Sequence, residues 1–285
     1  MSYLTEADVA RLQAYAYDIR CTTLSMLAEA GSGHTAGSLG MADIFSAFYF
    51  HVLNHDPADP ERVERDRLIL SNGHIAPVRY AAMAHAGYFP LEETLTLRRL
   101  GSRLQGHPER THLPGLETTS GPLGDGLTQA AGMALAYRMD DNPGRIYALM
   151  SDGEQQCGIT WEAAMFAGAR GLNNLTAVID RNHIQISGTT EEVLAVEPLA
   201  EKYEAFNWNV LLVDGHTIDM FIDAIETAKG VEDKPTVIIA TTIPGKGVPE
   251  IEGDHTWHGK APTKEQAERW IAELERAREE VGATL

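Results

Sequence analysis

Two apolar segments of this 285-residue chain run into polar residues whose types suit metal chemistry. Residues 145–151 are followed by Asp152, and residues 175–181 are followed by Asn182. In an open parallel sheet a ligand binds beyond the carboxyl ends of the strands, so these two side chains would face one point if their strands are neighbours. A carboxylate and an amide oxygen suit Mg²⁺ or Ca²⁺, and Mg²⁺ usually completes its shell with phosphate oxygens and water. The residues therefore predict a site for a metal-bound diphosphate.

Gly153 follows the carboxylate directly. A glycine there would let the main chain approach a diphosphate closely, and the helix predicted after it would direct its N-terminus to the same point. The alternative is a simple Asp-Gly turn at a strand end with Asn182 unrelated to it, because short motifs often occur by chance. From these residues alone both interpretations stay open.

Histidines give a second signal. Four of the eleven stand beside or near glycine, in segments typical of ligand-facing loops: His34, His74, His107 and His258. We assign four others to structural or surface roles: His51, His55, His85 and His216. The pair His255 and His258 has a spacing found in zinc sites, but neither cysteine is near it in sequence and no third ligand is evident. We therefore favour a histidine-lined ligand site over zinc.

The composition limits the class of protein. The chain has 41 acidic and 23 basic residues, a net charge of −18, which argues against nucleic-acid binding. Its 44% hydrophobic content is typical of a globular protein with a large core. Two cysteines cannot form a disulfide framework, and we find no signal-peptide pattern and no apolar run long enough for a bilayer. We expect a cytoplasmic protein without a membrane partner.

Alternating helix and strand patterns must position these residues. Helices are predicted over residues 4–30, stopped by Gly31, and over 41–53, 159–172 and 218–229, with a charged terminal helix capped by Thr263. Strands are predicted over residues 67–71, 145–151, 175–181, 209–214 and 236–243. Strands joined by helices predict an α/β fold with a doubly wound, mostly parallel sheet flanked by helices. We expect one domain over residues 1–285.

Taken together, the motifs resemble the N-terminal half of transketolase, the thiamine-diphosphate enzyme that moves two-carbon ketol units between sugars. The segments that carry the resemblance extend over nearly the whole chain: SGHTAGSLGMADIF, SNGH, LRRLGSRLQGHPE, TTSGPLGDGLTQAAGMALA, SDGE, RNHIQISG, TIPGKGV and TWHGKAP. Their order and spacing are far more specific than the Asp-Gly pair. The resemblance implies the thiamine-diphosphate-binding fold, in its diphosphate-binding domain.

The resemblance also implies roles for individual residues. The metal ligands would be Asp152, Asn182 and the main-chain carbonyl of Ile184. The cofactor-binding residues would be His74, Gly121, Leu123, Gly153, Glu154, Asn182 and His258, although Leu123 is equally well explained as a core leucine. The catalytic candidates are His34, His107 and His258, because imidazole can donate to or accept from sugar hydroxyls near neutral pH.

A complete enzyme of this family is about twice as long and carries pyrimidine-binding and C-terminal domains. The resemblance therefore implies a separately encoded subunit of a split transketolase, inactive alone, with the missing domains on a partner chain and a heterotetramer as the assembly. We expect the helix after Asp152 to face the interface through Cys157, Trp161 and Met165, with Glu162 in support. A wholly internal position for Trp161 is the alternative.

Six residues depart from those common in the family: Thr35, Ala36, Asn72, Asp125, Ser151 and Cys157. Cys157 stands where a glutamate usually joins a carboxylate network near the cofactor, so coupling between sites or the substrate could differ. Two further hypotheses follow. One is a related thiamine-diphosphate ketol or acyl transfer on a modified sugar. The other is a non-catalytic subunit that stabilises a partner, which the intact candidate metal ligands argue against.

Overall fold

A computed structural model describes residues 4–283 of the chain. The larger helices are α1 (Glu6–Ala30), α2 (Thr35–Gly40), α3 (Ala42–Ala47), α4 (Ala76–His85), α5 (Asp125–Met139), α6 (Gly158–Ala169), α7 (Thr190–Leu194), α8 (Leu199–Ala205), α9 (Ile218–Lys229) and α10 (Lys264–Ala283). The strands are β1 (Arg67–Leu70), β2 (Ile146–Ser151), β3 (Leu175–Arg181), β4 (Ile184–Gln185), β5 (Gly188–Thr189), β6 (Asn209–Asp214) and β7 (Thr236–Thr241).

Five of these strands form one parallel sheet in the order β1-β2-β3-β7-β6. Strands β2 and β3 are neighbours, with Ser151 opposite Asp180, so the residues that follow them emerge side by side. One face of the sheet packs against α1, α3, α4 and α9, and the other against α5, α6 and α8. The predicted doubly wound α/β fold is therefore confirmed.

The first helix forms much of one outer layer. Thr5 caps it by accepting a hydrogen bond from the Asp8 N–H, and the Asp8 carboxylate accepts one from the Thr5 N–H in return. The helix ends where Gly31 adopts φ +64°, a left-handed conformation that glycine tolerates without strain. Helix α10 packs along α1 and brings the last described part of the chain back to its beginning. Its cap is the predicted one, Thr263, whose hydroxyl accepts from the Gln266 N–H at 3.2 Å.

Several boundaries differ from the sequence expectation. The helix predicted over residues 41–53 is present as α3, which continues directly into a π-helical turn, Phe48–Val52, and a bend at Met41 separates α3 from α2. The bend accompanies a close approach, because a Cβ on Gly40 would come within 2.9 Å of the Ile243 carbonyl oxygen. The strand predicted to Ile243 ends at Thr241, and helices α2, α4, α5, α7 and α8 and strands β4 and β5 were not predicted. None of these differences moves the carboxyl ends of β2 and β3.

Within residues 4–283, no helix combines the length and the apolar character needed to span a membrane.

Candidate active site

A cavity of about 390 Å³ opens beyond the carboxyl ends of β2 and β3. Nine of the eleven residues that we singled out from the sequence line it: His34, His74, His107, Gly121, Leu123, Gly153, Asn182, Ile184 and His258. Ser151, Gln156, Gln185 and Ile186 complete the lining. The remaining two, Asp152 and Glu154, are fully buried behind it. Residues more than 200 positions apart in sequence thus share one wall.

Asp152 is held by hydrogen bonds on both carboxylate oxygens. Oδ1 accepts from the Gly153 N–H at 2.7 Å, and Oδ2 accepts from Arg181 Nη1 at 2.9 Å and from the His183 N–H at 2.7 Å. Burial raises the pKa of Asp152, and these donors offset the effect only in part. The carboxylate is therefore preoriented but still lacks full electrostatic compensation.

Asn182 is oriented by two contacts of opposite polarity. Its Nδ2 donates to Asp180 Oδ2 at 2.8 Å, and its Oδ1 accepts from the Ile184 N–H at 3.0 Å. Together they define which side of the amide is the oxygen. His183 has φ +65° and turns the chain between Asn182 and Ile184. The amide oxygen and the Ile184 main chain are thus held next to each other at the cavity wall.

Asp180 supports this arrangement from inside the protein. Its Oδ1 accepts a hydrogen bond from the Thr242 hydroxyl, which follows β7, and its Oδ2 accepts from Asn182. Burial and the nearby charge of Asp152 raise the pKa of Asp180 to about 7. Sequence reasoning missed this residue. Its position near the end of a buried strand was the available signal.

Three of the predicted histidines form a cluster. The ring centroids of His34 and His74 are 5.0 Å apart, those of His34 and His258 are 5.5 Å apart, and those of His74 and His258 are 5.2 Å apart. Burial, assisted by the nearby His258, Arg98 and His107, lowers the pKa of His34 to about 4, and burial lowers the pKa of His74 and of His258. These imidazoles are therefore neutral at pH 7 and can each donate one hydrogen bond and accept another.

Glu154 ties the loops together rather than lining the cavity. Its carboxylate accepts from the Ser71 hydroxyl, from the Gly124 N–H at 2.6 Å and from the Ser151 N–H at 3.1 Å. Burial raises its pKa to about 7. Gly124 has φ +93°, and a Cβ there would come within 2.5 Å of Ile159. Glu154 thus joins the segments that follow β1 and β2 to the loop that carries Gly121 and Leu123.

A buried arginine links the cavity wall to the segment beyond it. Arg181 Nη1 donates to Asp152 and to the Thr190 hydroxyl at 2.8 Å, and Nη2 donates to Glu191 at 3.0 Å and to Glu197 at 2.8 Å. These contacts anchor α7 and its flanking residues against the end of β3. The sequence analysis did not identify this role for Arg181, since its partners lie in a segment without clear periodicity.

The helix after Asp152 presents two environments. Trp161 is half-buried, with its ring 5.3 Å from that of Tyr203 and 6.1 Å from that of Phe206. Met165 is 55% exposed, and Glu162 is exposed. Trp161 therefore packs towards α8, whereas Met165 remains on the surface. The two side chains, which we expected to share one exposed face of this helix, have different surroundings.

Positions that depart from the family pattern have specific surroundings. The Thr35 hydroxyl donates to the Lys260 carbonyl at 2.6 Å, which ties α2 to the loop that carries His258. Asn72 is fully buried, and neither polar atom of its amide has a hydrogen-bond partner among the described residues. Asp125 begins α5, where the helix dipole favours a negative charge. Cys157 precedes α6, and burial raises the pKa of its thiol.

Comparison with known proteins identifies the family. Residues 12–279 match the model of the transketolase thiamine-diphosphate-binding domain. The chain belongs to the transketolase family. It is 44% identical over 265 residues to the 6-deoxy-6-sulfo-D-fructose transketolase subunit SqwG of Clostridium sp. (strain MSTE9), covering 93% of this chain and 96% of that subunit. It is 39% identical over 246 residues to an apulose-4-phosphate transketolase subunit of Phocaeicola vulgatus, covering 86% of this chain and 87% of that one.

Solved transketolases share the fold. The structure of the Campylobacter jejuni enzyme superposes with a TM-score of 0.85 at 34% identity, covering 96% of this chain. The chain spans only 46% of the length of that transketolase. This transketolase-family chain therefore corresponds to the thiamine-diphosphate-binding part of the longer enzymes and matches separately encoded subunits over nearly their full length.

Proposed function

We propose that this chain is the diphosphate-binding subunit of a two-chain transketolase that transfers a two-carbon ketol unit from a ketose to an aldose. The gathering of nine predicted residues around one cavity at the ends of β2 and β3 carries the proposal. The similar subunits from Clostridium and Phocaeicola vulgatus support it. When bound, thiamine diphosphate supplies the carbon nucleophile that carries the two-carbon unit.

A divalent metal is part of the proposal. Within residues 4–283 no group of three or more His, Cys, Asp or Glu side chains could hold a metal ion. The proposed donors are of another kind: the Asp152 carboxylate, the Asn182 amide oxygen and the Ile184 carbonyl. All three are hard oxygen ligands, which Mg²⁺ and Ca²⁺ prefer. Asp152 is buried and has a raised pKa, so a cation there would supply the compensation that the protein donors leave incomplete.

The cofactor's diphosphate fits beside the proposed metal. Gly153 lines the cavity, and its N–H already donates to Asp152 at the start of the turn before α6. His74 and His258 line the same cavity as neutral donors for phosphate oxygens. Gly121 and Leu123 line it too, and we assign them to contacts with the cofactor. Glu154 holds their loop in place through its bond to the Gly124 N–H.

His34, His107 and His258 are the residues that we assign to the sugar. Because their pKa values are lowered, their imidazoles are neutral at pH 7, where each can accept a proton from a hydroxyl or donate a hydrogen bond to a developing alkoxide. Nδ1 of His34 is buried and has no hydrogen-bond partner among the described residues. A buried polar atom without a partner is costly, so a ligand group there would be stabilising.

The partner would be a chain that carries the pyrimidine-binding and C-terminal domains, with residues 1–285 as one diphosphate-binding domain. Leu123, Ile159 and Ile186 leave apolar surface exposed near the cavity, which a partner subunit would cover. Two copies of each chain related by a two-fold axis would give a heterotetramer with two equivalent sites. The cytoplasm, which keeps cysteines reduced, is the proposed location.

The second candidate is ketol transfer on a modified sugar. The similar subunit from Clostridium is named for 6-deoxy-6-sulfo-D-fructose, and that from Phocaeicola vulgatus for apulose-4-phosphate. Cys157, in place of the glutamate common in the family, is compatible with this change of substrate. The choice between the two candidates depends on the acceptor and donor sugars.

Reconstitution tests the proposal. The chain is co-expressed with a candidate pyrimidine-binding chain, and thiamine-diphosphate-dependent transfer is measured over a panel of ketose donors and aldose acceptors. We expect activity only with both chains, and a mass by light scattering that corresponds to two copies of each. Full activity of this chain alone as a monomer would contradict the two-chain proposal.

A further inference from the structure

The two oxygens of the Asp152 carboxylate differ in the number of hydrogen bonds that they accept. Oδ2 accepts two, from Arg181 Nη1 at 2.9 Å and from the His183 N–H at 2.7 Å. Oδ1 accepts one, from the Gly153 N–H at 2.7 Å. An ionised carboxylate has about four acceptor sites, shared equally between its oxygens. Both sites of Oδ2 are therefore occupied by donors of this chain, and one site of Oδ1 is open to another ligand.

Arg181 is held against Oδ2 by its other hydrogen bonds. Nη1 also donates to the Thr190 hydroxyl at 2.8 Å, Nη2 donates to Glu191 at 3.0 Å and to Glu197 at 2.8 Å, and Nε donates to Glu197 at 3.2 Å. Every N–H of the guanidinium thus has an acceptor, and the side chain is only 5% exposed. Because the guanidinium is planar and rigid, these bonds fix the direction of the donor that points at Asp152.

The second donor to Oδ2 belongs to the same unit. The His183 carbonyl accepts a hydrogen bond from the Thr190 N–H at 3.0 Å, and Thr190 is fully buried. Thr190 therefore holds both donors, Arg181 through its hydroxyl and His183 through its main chain. The two hydrogen bonds to Oδ2 are thus joined through the first residue of α7.

The other side chain among the proposed metal ligands is restricted in the same way. Asn182 Oδ1 accepts from the Ile184 N–H at 3.0 Å, which leaves it one further acceptor site. With the Ile184 carbonyl, each of the three residues then offers a single oxygen. Mg²⁺ demands octahedral geometry and usually keeps waters and phosphate oxygens, whereas Ca²⁺ takes more ligands and also accepts carboxylates through both oxygens. A set of single oxygens therefore suits Mg²⁺ better.

We propose that Arg181 is a positioning residue that occupies Oδ2 of Asp152, restricts this carboxylate to one bond with the metal and so favours Mg²⁺ over Ca²⁺. The inference rests on the proposed function, to which the metal ligands belong. Without the guanidinium, a site on Oδ2 becomes open and Asp152 can bind through both oxygens. Ca²⁺ gains from the second bond, and the smaller Mg²⁺ does not.

Calorimetric titration of the full-length chain separates this positioning role from a simple effect of charge. Magnesium chloride or calcium chloride is titrated in the presence of thiamine diphosphate, and the Kd for Mg²⁺ is divided by the Kd for Ca²⁺. Both ions carry the same charge, so loss of the Arg181 charge changes both affinities by a similar amount and largely cancels in the ratio. We expect Arg181→Met to raise the ratio by about tenfold or more. An unchanged ratio would overturn the inference.

Two further variants show whether the contact with Oδ2 is responsible. Arg181→Lys keeps a charged donor and should raise the ratio less than Arg181→Met. Glu197→Gln is the matched control, because it changes a half-exposed partner of Arg181 and leaves the bond from Arg181 to Asp152 in place. We expect the wild-type ratio in Glu197→Gln. A rise as large as that in Arg181→Met would mean that the ratio follows the packing of the α7 segment, which would overturn the inference.

A crystal structure of the wild-type chain with Ca²⁺ and thiamine diphosphate tests the inference without any variant. We expect a single bond to the ion from Oδ1 of Asp152, with Arg181 still donating to Oδ2. A carboxylate that binds the ion through both oxygens, or through Oδ2, would overturn the inference.

These measurements separate the inference from the proposed function, because the metal is followed without catalysis. If the reconstituted pair transfers ketol units but the ratio is unchanged in Arg181→Met, the proposed function stands and the role of Arg181 fails. If no pair of chains is active while the ratio rises as expected, the role of Arg181 stands and the proposed transfer activity fails. Binding of neither ion, to the chain alone or with its partner, would overturn both.

Discussion

Buried acids occur in two regions of this protein, and their surroundings differ. On the face of the sheet covered by α1, α3, α4 and α9, Asp43 of α3 accepts hydrogen bonds from Arg20 of α1 and contacts His216, which follows β6. At the carboxyl ends of β2 and β3, Glu154 and Asp180 are equally buried, but neither is in an ion pair within residues 4–283. Asp43 is thus paired with a cation, whereas Glu154 and Asp180 are held by neutral donors.

The pKa values follow this difference. Burial alone would raise the pKa of Asp43, but Arg20 and His216 outweigh it and lower the pKa. Burial raises the pKa of Glu154 and of Asp180 to about 7, because hydrogen bonds from neutral donors do not compensate for it. A buried carboxylate near a full cation is a stabilising part of the scaffold only while the pair stays intact.

Two histidines show the same contrast. Nδ1 of His216 contacts Asp43 at 2.7 Å, and its Nε2 accepts from the Ile243 N–H at 2.7 Å, so both ring nitrogens have partners. Nδ1 of His34, at the active site, is buried without a partner in the described chain. The comparison indicates that the scaffold satisfies both nitrogens of His216, whereas His34 leaves a polar atom that a ligand at the site would satisfy.

The largest expected effect concerns the site histidines. His34→Ala and His258→Ala should lower kcat of the reconstituted enzyme by about 10²–10⁴-fold at saturating cofactor, because a general acid or base is removed. Cofactor affinity should change less for His34→Ala than for His258→Ala, because we assign His258 to the cofactor as well as to the sugar. His216→Ala is the structural counterpart and should lower the free energy of unfolding by about 1–3 kcal/mol. Unchanged turnover would reassign His34 to structure.

Substitution of Asp43, a buried acid of the scaffold, should lower stability. Asp43→Asn leaves Arg20 buried beside an uncharged group and should lower the free energy of unfolding by about 3–5 kcal/mol in urea denaturation. Since the folded pKa of Asp43 is lowered, this stabilisation is present above about pH 4 and is lost as the pH falls through the folded pKa. The exposed Asp59→Asn is the control. Equal stability of Asp43→Asn and wild type would contradict the comparison.

Removal of a proposed metal ligand should affect binding rather than folding. Asp152→Ala or Asn182→Ala should weaken metal-dependent binding of thiamine diphosphate by about 100-fold in calorimetric titration of the reconstituted complex. The fold should survive in Asp152→Ala because Arg181 keeps Glu191 and Glu197 as partners. Asp233→Ala, at the amino end of the sheet, is the control. Wild-type affinity in either site variant would refute the ligand assignment.

The smallest effect concerns pH. Because the folded pKa of His34 is about 4, the unfolded chain binds more protons than the folded one between pH 4 and about 6.5. Stability should therefore fall as the pH is lowered through this window. His34→Asn should reduce the loss between pH 7 and pH 5 by about 1 kcal/mol after screening by solvent, and the exposed His51→Asn should not. Identical pH profiles for His34→Asn and wild type would contradict the effect of burial.

Local sequence patterns predicted the main strands and one helix closely. The boundaries of β3, β6 and α9 agree with the prediction at both ends, because their apolar runs end at polar residues or turn residues. The helix expected over residues 41–53 is found as α3 and the π-helical turn that follows it, and it begins after the bend at Met41. Helix α5 was missed, since its many small residues give a weak helical periodicity.

The sequence by itself determined that the carboxyl ends of two apolar strands would carry Asp152 and Asn182, because local periodicity defines where a strand ends. It also determined the family, through motifs spread along the whole chain. Only the tertiary structure decided that Asp180 orients Asn182, that Glu154 faces the loops rather than the cavity, and that Arg98 lies against Gly106. These relations depend on how strand ends and loops pack at one edge of the sheet, and such contacts between distant segments leave no periodic signal in the sequence.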